Sequence, residues 1–425
     1  MKYKEYPKRK DSGVEWIGEI PEHWDVIRLK FLSNITTGEK NTEDRDDEGQ
    51  YPFFVRSKII ERISTYFYDG EAILSPGEGD VGKIVHYING KFDLHQRMYA
   101  IYDFVNISGK FCYWYLKTNL KNEVMKNSKK VTVESVRLPF FFNFPITFGS
   151  EEEQNQIADF LEEKTTQFDK LTSKMQKQIT LLEEKREATI TQAVTKGLDP
   201  SVKMKDSGVE WIGKIPEHWE VKKLKFMTKK INSGVTPKGG STIYEDKGIP
   251  LLRSQNIHFD GLHLDNVVYI NEKTHDEMKN SKIHEHDVLL NITGASIGRC
   301  TIIPNKFDEG NVNQHVCIIR CKNSLSPHFL KYFLSSKIMQ NLITSSQVGA
   351  SREGLTFFEI SNFLIPTTSQ SELNEISEFL DKKTTQFDEL ASKIQKQITL
   401  LEEKKEALIT AAVTGKIDVR DSVGA

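Results

Sequence analysis

The chain has 425 residues, 38% hydrophobic and 28% charged, and its 58 Lys plus Arg nearly balance 60 Asp plus Glu for a net charge of −2. This fits a soluble globular protein with room for more than one domain, at about 100–200 residues each. No apolar run approaches the roughly 18 residues of a membrane helix, and the N-terminal MKYKEYPKRKD has no signal-peptide core, so a cytoplasmic location with no membrane partner is expected.

In chain order, the first marked segment is Lys10 to Trp24, KDSGVEWIGEIPEHW. It returns as Lys205 to Trp219, differing only at Glu19 versus Lys214. A divergent insert follows, from Asp25 to Ser150. Next comes Lys164 to Ala188, which returns as Lys383 to Ala407 with four changes. The first pair is offset by 195 positions and the second by 219, so the second insert is longer by the difference, 24 residues. Near-identical frames around unlike inserts indicate one scaffold presenting two surfaces. Two copies are too few for a solenoid, which needs about three.

Around the second repeated block the apolar residues are Ile157, Leu161, Phe168, Leu171, Met175, Ile179 and Leu182. The copy supplies Ile376, Leu380, Phe387, Leu390, Ile394, Ile398 and Leu401. Steps of three, four and seven mark one face of a helix. No Gly or Pro falls between Glu151 and Lys196, so a helix of about thirty to forty residues, roughly 45–60 Å, is predicted. A narrow apolar stripe that long requires a partner. The expected partner is the other copy, in an antiparallel coiled coil under a pseudo-twofold internal repeat. The alternative is that each stripe packs only on its own domain. Gly197 would end the first helix and Asp199-Pro200 would open the linker. The fold class is thus α+β. Its segments are a first domain over 1–150, a helical spacer over 151–197, a linker and second domain over 198–366, and a second helix with its tail over 367–425.

Both inserts read as strand-rich, with turn signals between short apolar runs and one aromatic helix each, Phe111 to Leu120 and Phe329 to Leu334. Their charge is indecisive: 17 Lys plus Arg against 16 Asp plus Glu in the first, and 18 against 14 in Glu220 to Pro366. Weak echoes survive between them. Arg56-Ser57 faces Arg253-Ser254, the turn carrying Gly79, Gly82 and Lys83 faces Ser296, Gly298 and Arg299, and Gln96-Arg97 faces Gln314-His315. Such side chains read base edges or grip phosphates. The candidate DNA contacts are Arg56, Ser57, Gly79, Lys83, Gln96 and Arg97 in the first insert. In the second they are Lys238, Arg253, Ser254, Gln255, Ser296, Arg299, Gln314, His315 and Arg352.

Other motifs carry less. Gly77-Glu-Gly79-Asp-Val-Gly82-Lys83 nearly matches a phosphate loop, yet Ile84 stands where the hydroxyl should be, and the following KIVHYI alternates like a strand. His284-Glu-His286 lacks a partner at metal-site spacing. Cys112, Cys300, Cys317 and Cys321 show no CxxC spacing and are expected as free thiols. No catalytic constellation, cofactor site or metal site is predicted on this chain.

Two variable inserts, each preceded by SGVEWIGxIPEHW and followed by KTTQFDxL and LLEEKxEA, resemble the specificity subunit of a type I restriction–modification system. The resemblance spans essentially the whole chain. It implies a non-catalytic subunit whose two target-recognition domains read the unlike halves of a split, asymmetric double-stranded DNA site. It also implies docking of two methyltransferase subunits and two restriction (motor) subunits, which would carry S-adenosylmethionine, ATP and magnesium. The first insert departs from the pattern: TTGEK lacks the turn proline that Pro237 supplies in the second, and its counterpart of the Gly-Ala-Ser-Arg loop, near 129–133, is degenerate. The competing reading is a two-domain DNA-binding or protein-interaction scaffold without a methylation role.

Overall fold

A computed structural model describes residues 3–126, 135–347 and 354–420. The chain divides into two compact units, Met1–Gln176 with Gln395–Ala425, and Lys177–Ile394. The segments expected from sequence made each long helix a spacer outside the domains. The compact units instead take one half of each helix, because the helix ends are built into the cores.

In the first unit the repeated frame forms a small antiparallel hairpin, Arg9–Asp11 against Glu19–Pro21. The strand that follows, Asp25–Arg28, pairs antiparallel with Pro145–Phe148, immediately before the first long helix. The insert is therefore closed at its base by its own two ends. Inside it lies a six-stranded sheet in the order Asn34–Thr37, Met98–Tyr102, Tyr68–Pro76, His86–Leu94, Tyr51–Phe54, Glu61–Ile63. Neighbours are antiparallel except Tyr51–Phe54 beside His86–Leu94. Alternation along the strands covers both faces. Ile73 and Ile101 join Phe111 and Tyr115 of the helix Gly109–Lys126, whereas Ala72, Leu74 and Ala100 turn to Phe54, Phe92 and Leu94.

The second unit repeats the base closure, with Met204–Asp206 against Lys214–Pro216 and Glu220–Lys223 against Leu364–Thr367. Its longer insert splits the sheet. Four strands run Thr228–Ser233, Val316–Cys321, Val288–Asn291, Cys300–Ile302, and three run Val268–Ile270, Ile249–Leu252, Asn311–Val312. The aromatic helix Pro327–Ser335 buries Phe329 and Phe333 against this core, which also holds Val288, Leu290 and Cys317.

The near-identity of the frames has a local cause. In the first unit Glu153, in the first turn of the long helix, accepts from Tyr6 Oη at 2.5 Å and pairs with His23 Nε2 at 2.9 Å. In the second unit Glu372 takes the same place, pairing with His218 Nε2 at 2.9 Å and accepting from Trp219 Nε1 at 3.0 Å. Burial works to raise the Glu372 carboxyl, but hydrogen bonds from Thr368, His218 and Trp219 outweigh it and hold the group below the usual range. The PEHW turn thus clamps each frame to the helix that follows its own insert.

The long helices run Glu151–Lys196, 46 residues, and Gln370–Val413, 44 residues. Both exceed the length expected from sequence, since nothing in either segment breaks the backbone ladder before the end. Gly197, at φ 73°, then terminates the first. In the first unit Ile157 and Leu161 share a core with Ile409 and Val413; in the second, Ile190 and Val194 share one with Leu373 and Ile376. The start of one helix meets the end of the other in both units, an antiparallel arrangement. Lys405 with Asp169 at 2.5 Å and Arg186 with Asp388 at 3.3 Å flank the seam.

Burial follows most of the stripe expected as the seam. Leu161, Ile179, Leu380, Ile394 and Ile398 are buried, and Phe168, Met175, Leu182, Phe387 and Leu401 are half-buried. Leu171 and Leu390 are corrections: they are 42% and 46% exposed. From Phe168 the seam steps by four to Thr172 and then by three to Met175, and in the copy Ala391 takes that place. A two-helix seam is a strict alternation of three and four, so a leucine one position early stands beside it.

Candidate nucleic-acid interface

In the first unit the sheet brings Arg56, at the end of the Tyr51–Phe54 strand, to Arg97, just before the Met98–Tyr102 strand. Glu78 Oε2 joins them, 3.4 Å from Arg56 Nη1 and 2.7 Å from Arg97 Nη1. Glu78 is held by an antiparallel bridge to Ser135, so its carboxylate is aimed by backbone pairing. Beneath the pair lies buried His95, whose Nδ1 accepts from Arg97 N at 3.0 Å. Burial, reinforced by Arg56 and Arg97, holds this imidazole below the usual histidine range. Gln96 donates to Asn41 Oδ1.

The glycine turn sits beside this cluster. Gly79 and Gly82 both adopt positive φ, 80° and 74°, and a Cβ at Gly82 would lie 2.7 Å from the Lys121 backbone. Its counterpart Gly298 shares the positive φ, 86°, which favours glycine at this place in both turns. Lys83 Nζ contacts Asp80 Oδ1 at 2.8 Å, and this bond, with the charge of Lys83, lowers the Asp80 carboxyl. Ser57 is spent locally: its Oγ accepts from Ile59 N at 3.0 Å. After Gly82 the chain enters the strand His86–Leu94 rather than a helix, so the geometry of a phosphate loop is not formed.

The second unit gathers the equivalent positions around a different centre. Asn291, fully buried, donates from Nδ2 to Ser254 O at 2.8 Å and to Ser296 Oγ at 3.0 Å. Its backbone N donates to Arg299 O at 2.8 Å, which fixes the turn carrying Arg299. His315 Nδ1 lies 2.6 Å from Thr293 Oγ1, and Gln314 Nε2 is 2.9 Å from His315 Nε2. Arg253 Nη2 and Gln255 Nε2 both donate to Asn266 O, at 3.2 and 3.3 Å. Lys238 is exposed, and no hydrogen bond or ion pair among the described residues ties it to this network. Arg352 lies outside the described residues.

Sequence reasoning missed the groups that organise each cluster. Glu78 is an anion among the cations expected to meet DNA, and Asn291 reads as one more strand residue. A further group was missed as well. His258, Asp260 and His263 each present one ligand atom within 4.8 Å of the others. The spacing His-x-Asp-x-x-His across a tight turn was the available signal.

Known proteins resemble the chain over most of its length. A family model described as the type I restriction modification DNA specificity domain matches residues 21–181 and 216–400. The chain is 24% identical over 436 residues to the type I restriction enzyme MjaVIII specificity subunit of Methanocaldococcus jannaschii, covering 99% of this chain and 98% of that protein. It is 28% identical over 177 residues to the EcoDI specificity subunit of Escherichia coli, which is 42% of this chain and 39% of that protein. Among solved structures, a chain from a study of complex assembly and conformational transition in the type I R-M system superposes with a TM-score of 0.72 at 14% identity, covering 94% of this chain and 99% of that one. The HsdS subunit from Thermoanaerobacter tengcongensis gives 0.52 at 13% identity, over 94% and 98%.

Proposed function

Because the chain belongs to the type I restriction modification DNA specificity family, we propose that it is the DNA-recognition subunit of such a system, reading a split target with unlike halves. The observation that carries this is that two near-identical frames close off two inserts whose equivalent polar positions are organised differently. Arg56, Glu78 and Arg97 form one reading surface, and Ser296, Gln314 and His315, gathered around buried Asn291, form the other.

The chain itself is read as non-catalytic and cytoplasmic. Methylation of an adenine on each strand, through base flipping, falls to methyltransferase subunits carrying S-adenosylmethionine. ATP- and magnesium-dependent cleavage falls to restriction subunits. Two copies of each partner are what the family resemblance implies; each unit also exposes the same side chain after its frame, Phe31 at 66% and Phe226 at 63%. No helix among the described residues is long and apolar enough to cross a membrane.

The test is single-molecule methylation mapping of genomic DNA with and without this gene, alongside the methyltransferase. A split motif with unlike halves, methylated only when the gene is present, is the expected result. No gene-dependent motif, with the partner demonstrably expressed, would remove the reading.

A further inference from the structure

In the second unit the segment after Arg253 folds into a small hairpin, Ile257–His258 against Gly261–Leu262. Ile257 is fully buried in a core with Leu252, Leu289 and Ile318, so the hairpin is anchored at its base. Phe259 and Asp260 form its two-residue turn, and Gly261 at φ 146° permits the tight return. His258, Asp260 and His263 consequently come from a strand end, a turn and the residue just after the return strand. These are short, fixed attachments rather than a floppy loop.

The chemistry of the three groups is that of a metal site. The imidazoles of His258 and His263 stack with centroids 3.9 Å apart and planes 13° from parallel. Asp260 turns its carboxylate to His263 Nε2, with each oxygen 3.2 Å away. Ligand atoms around tetrahedral zinc, with bonds of about 2.0–2.1 Å, lie about 3.3 Å apart. The Asp260–His263 separation already matches; closing the remaining spread of up to 4.8 Å to that spacing requires the stacked imidazoles to turn out of parallel so that the ion lies in both ring planes, which half-buried or exposed side chains can do. His258 Nε2 lies 3.0 Å from Gln255 O. Donating there leaves Nδ1 with a free lone pair, and a carbonyl behind a ligating imidazole is the usual orienting partner in metal sites. The hairpin borders an open cleft of about 400 Å³ shared with Gln255, Asp265 and Asn266, which gives an ion access.

We propose that His258, Asp260 and His263 bind a zinc-class divalent cation and that the bound ion locks the Arg253–Asn266 segment. Two imidazoles with one carboxylate select zinc and its transition-metal neighbours over magnesium or calcium, which prefer all-oxygen shells. Three protein ligands leave a fourth position for solvent. Through the Gln255 carbonyl, the ion fixes the stretch whose side chains also hold Asn266 O, where Arg253 and Gln255 project. Only its consequence for recognition rests on the DNA-reading assignment; the site stands on its own ligands.

The experiment uses the full chain without DNA. Titration with Co2+ should give one ion per chain with the visible d–d absorption of a tetrahedral site, displaced by Zn2+ and not by Mg2+. His258→Ala and His263→Ala should each abolish that signal, and Asp260→Asn should weaken uptake by about tenfold or more. His284→Ala, in the other histidine pair, should leave it unchanged. All three ligands are at the surface, so circular dichroism of the variants should match the parent. Hydrogen exchange across residues 254–266 should slow on adding Zn2+. No Co2+ uptake, uptake surviving both histidine substitutions, or loss on His284→Ala would overturn the site. Uptake without any slowing of exchange would overturn the locking role.

Discussion

The two polar clusters proposed to read DNA occupy equivalent places on copies of one frame, yet they are held together by opposite means. In the first unit a carboxylate, Glu78, bridges two guanidiniums at half-exposed positions. In the second a neutral amide, Asn291, ties a backbone carbonyl and a hydroxyl from a fully buried position. Surface ion pairs are soft and screened by salt, whereas a buried amide network is rigid and costly to disturb. The first surface can exchange its internal partner for a phosphate. The second presents donors and acceptors already fixed in place. The repeated frame keeps the place of the polar cluster and leaves its electrostatics different in the two units.

The largest expected effect follows from the closure at the base of each insert. Because Asp25–Arg28 pairs with Pro145–Phe148, exchanging residues 25–150 for another insert of this kind should replace one half of the methylated motif entirely. The other half should persist. Methylation mapping reads both at once, and a change in both halves would show that the two surfaces are not independent.

A smaller effect is expected at the centre of the second surface. Asn291→Ala strands the Ser254 carbonyl and frees the Ser296 hydroxyl, so denaturant unfolding should show a loss of about 1–3 kcal/mol. Discrimination should relax only at bases of the half-site read by this unit. An unchanged unfolding midpoint would mean that the amide does not organise the surface.

How much of this was legible in the sequence differs by region. The frames were readable because repetition exposed them, and the helices because a 3.6 period survives without Gly or Pro. Leu171 and Leu390 were misplaced because hydrophobicity alone cannot say which of two adjacent positions faces a partner; Thr172 and Ala391, small and unremarkable in composition, fill the seam. Arg56 and Arg97 stand out through the weak echoes between the inserts, but their common partner Glu78 does not. Ion pairing across 19 and 22 positions is set by sheet order, and nothing local in the chain records which strands are neighbours. Asn291 escaped for the same reason, since its burial depends on which strands, Cys300–Ile302 and Val316–Cys321, lie on either side of its own.

The smallest effect is the sharpest test of the contrast. Glu78→Gln keeps the side-chain shape and removes the charge that engages Arg56 and Arg97. Their side chains are 43% and 50% exposed, so folding stability should move by about 0.5 kcal/mol or less. DNA binding should respond more. With the internal carboxylate gone, guanidinium charge is released to phosphate, and affinity at low salt should rise. Every additional phosphate neutralised should steepen the log–log salt dependence by about 0.9. The mirror substitution, Asn291→Asp, would bury a negative charge in the other surface and should weaken both folding and binding. If Glu78→Gln instead lowered affinity with no change in salt dependence, Glu78 would be orienting the two arginines toward bases, and both surfaces would be prefixed readers after all.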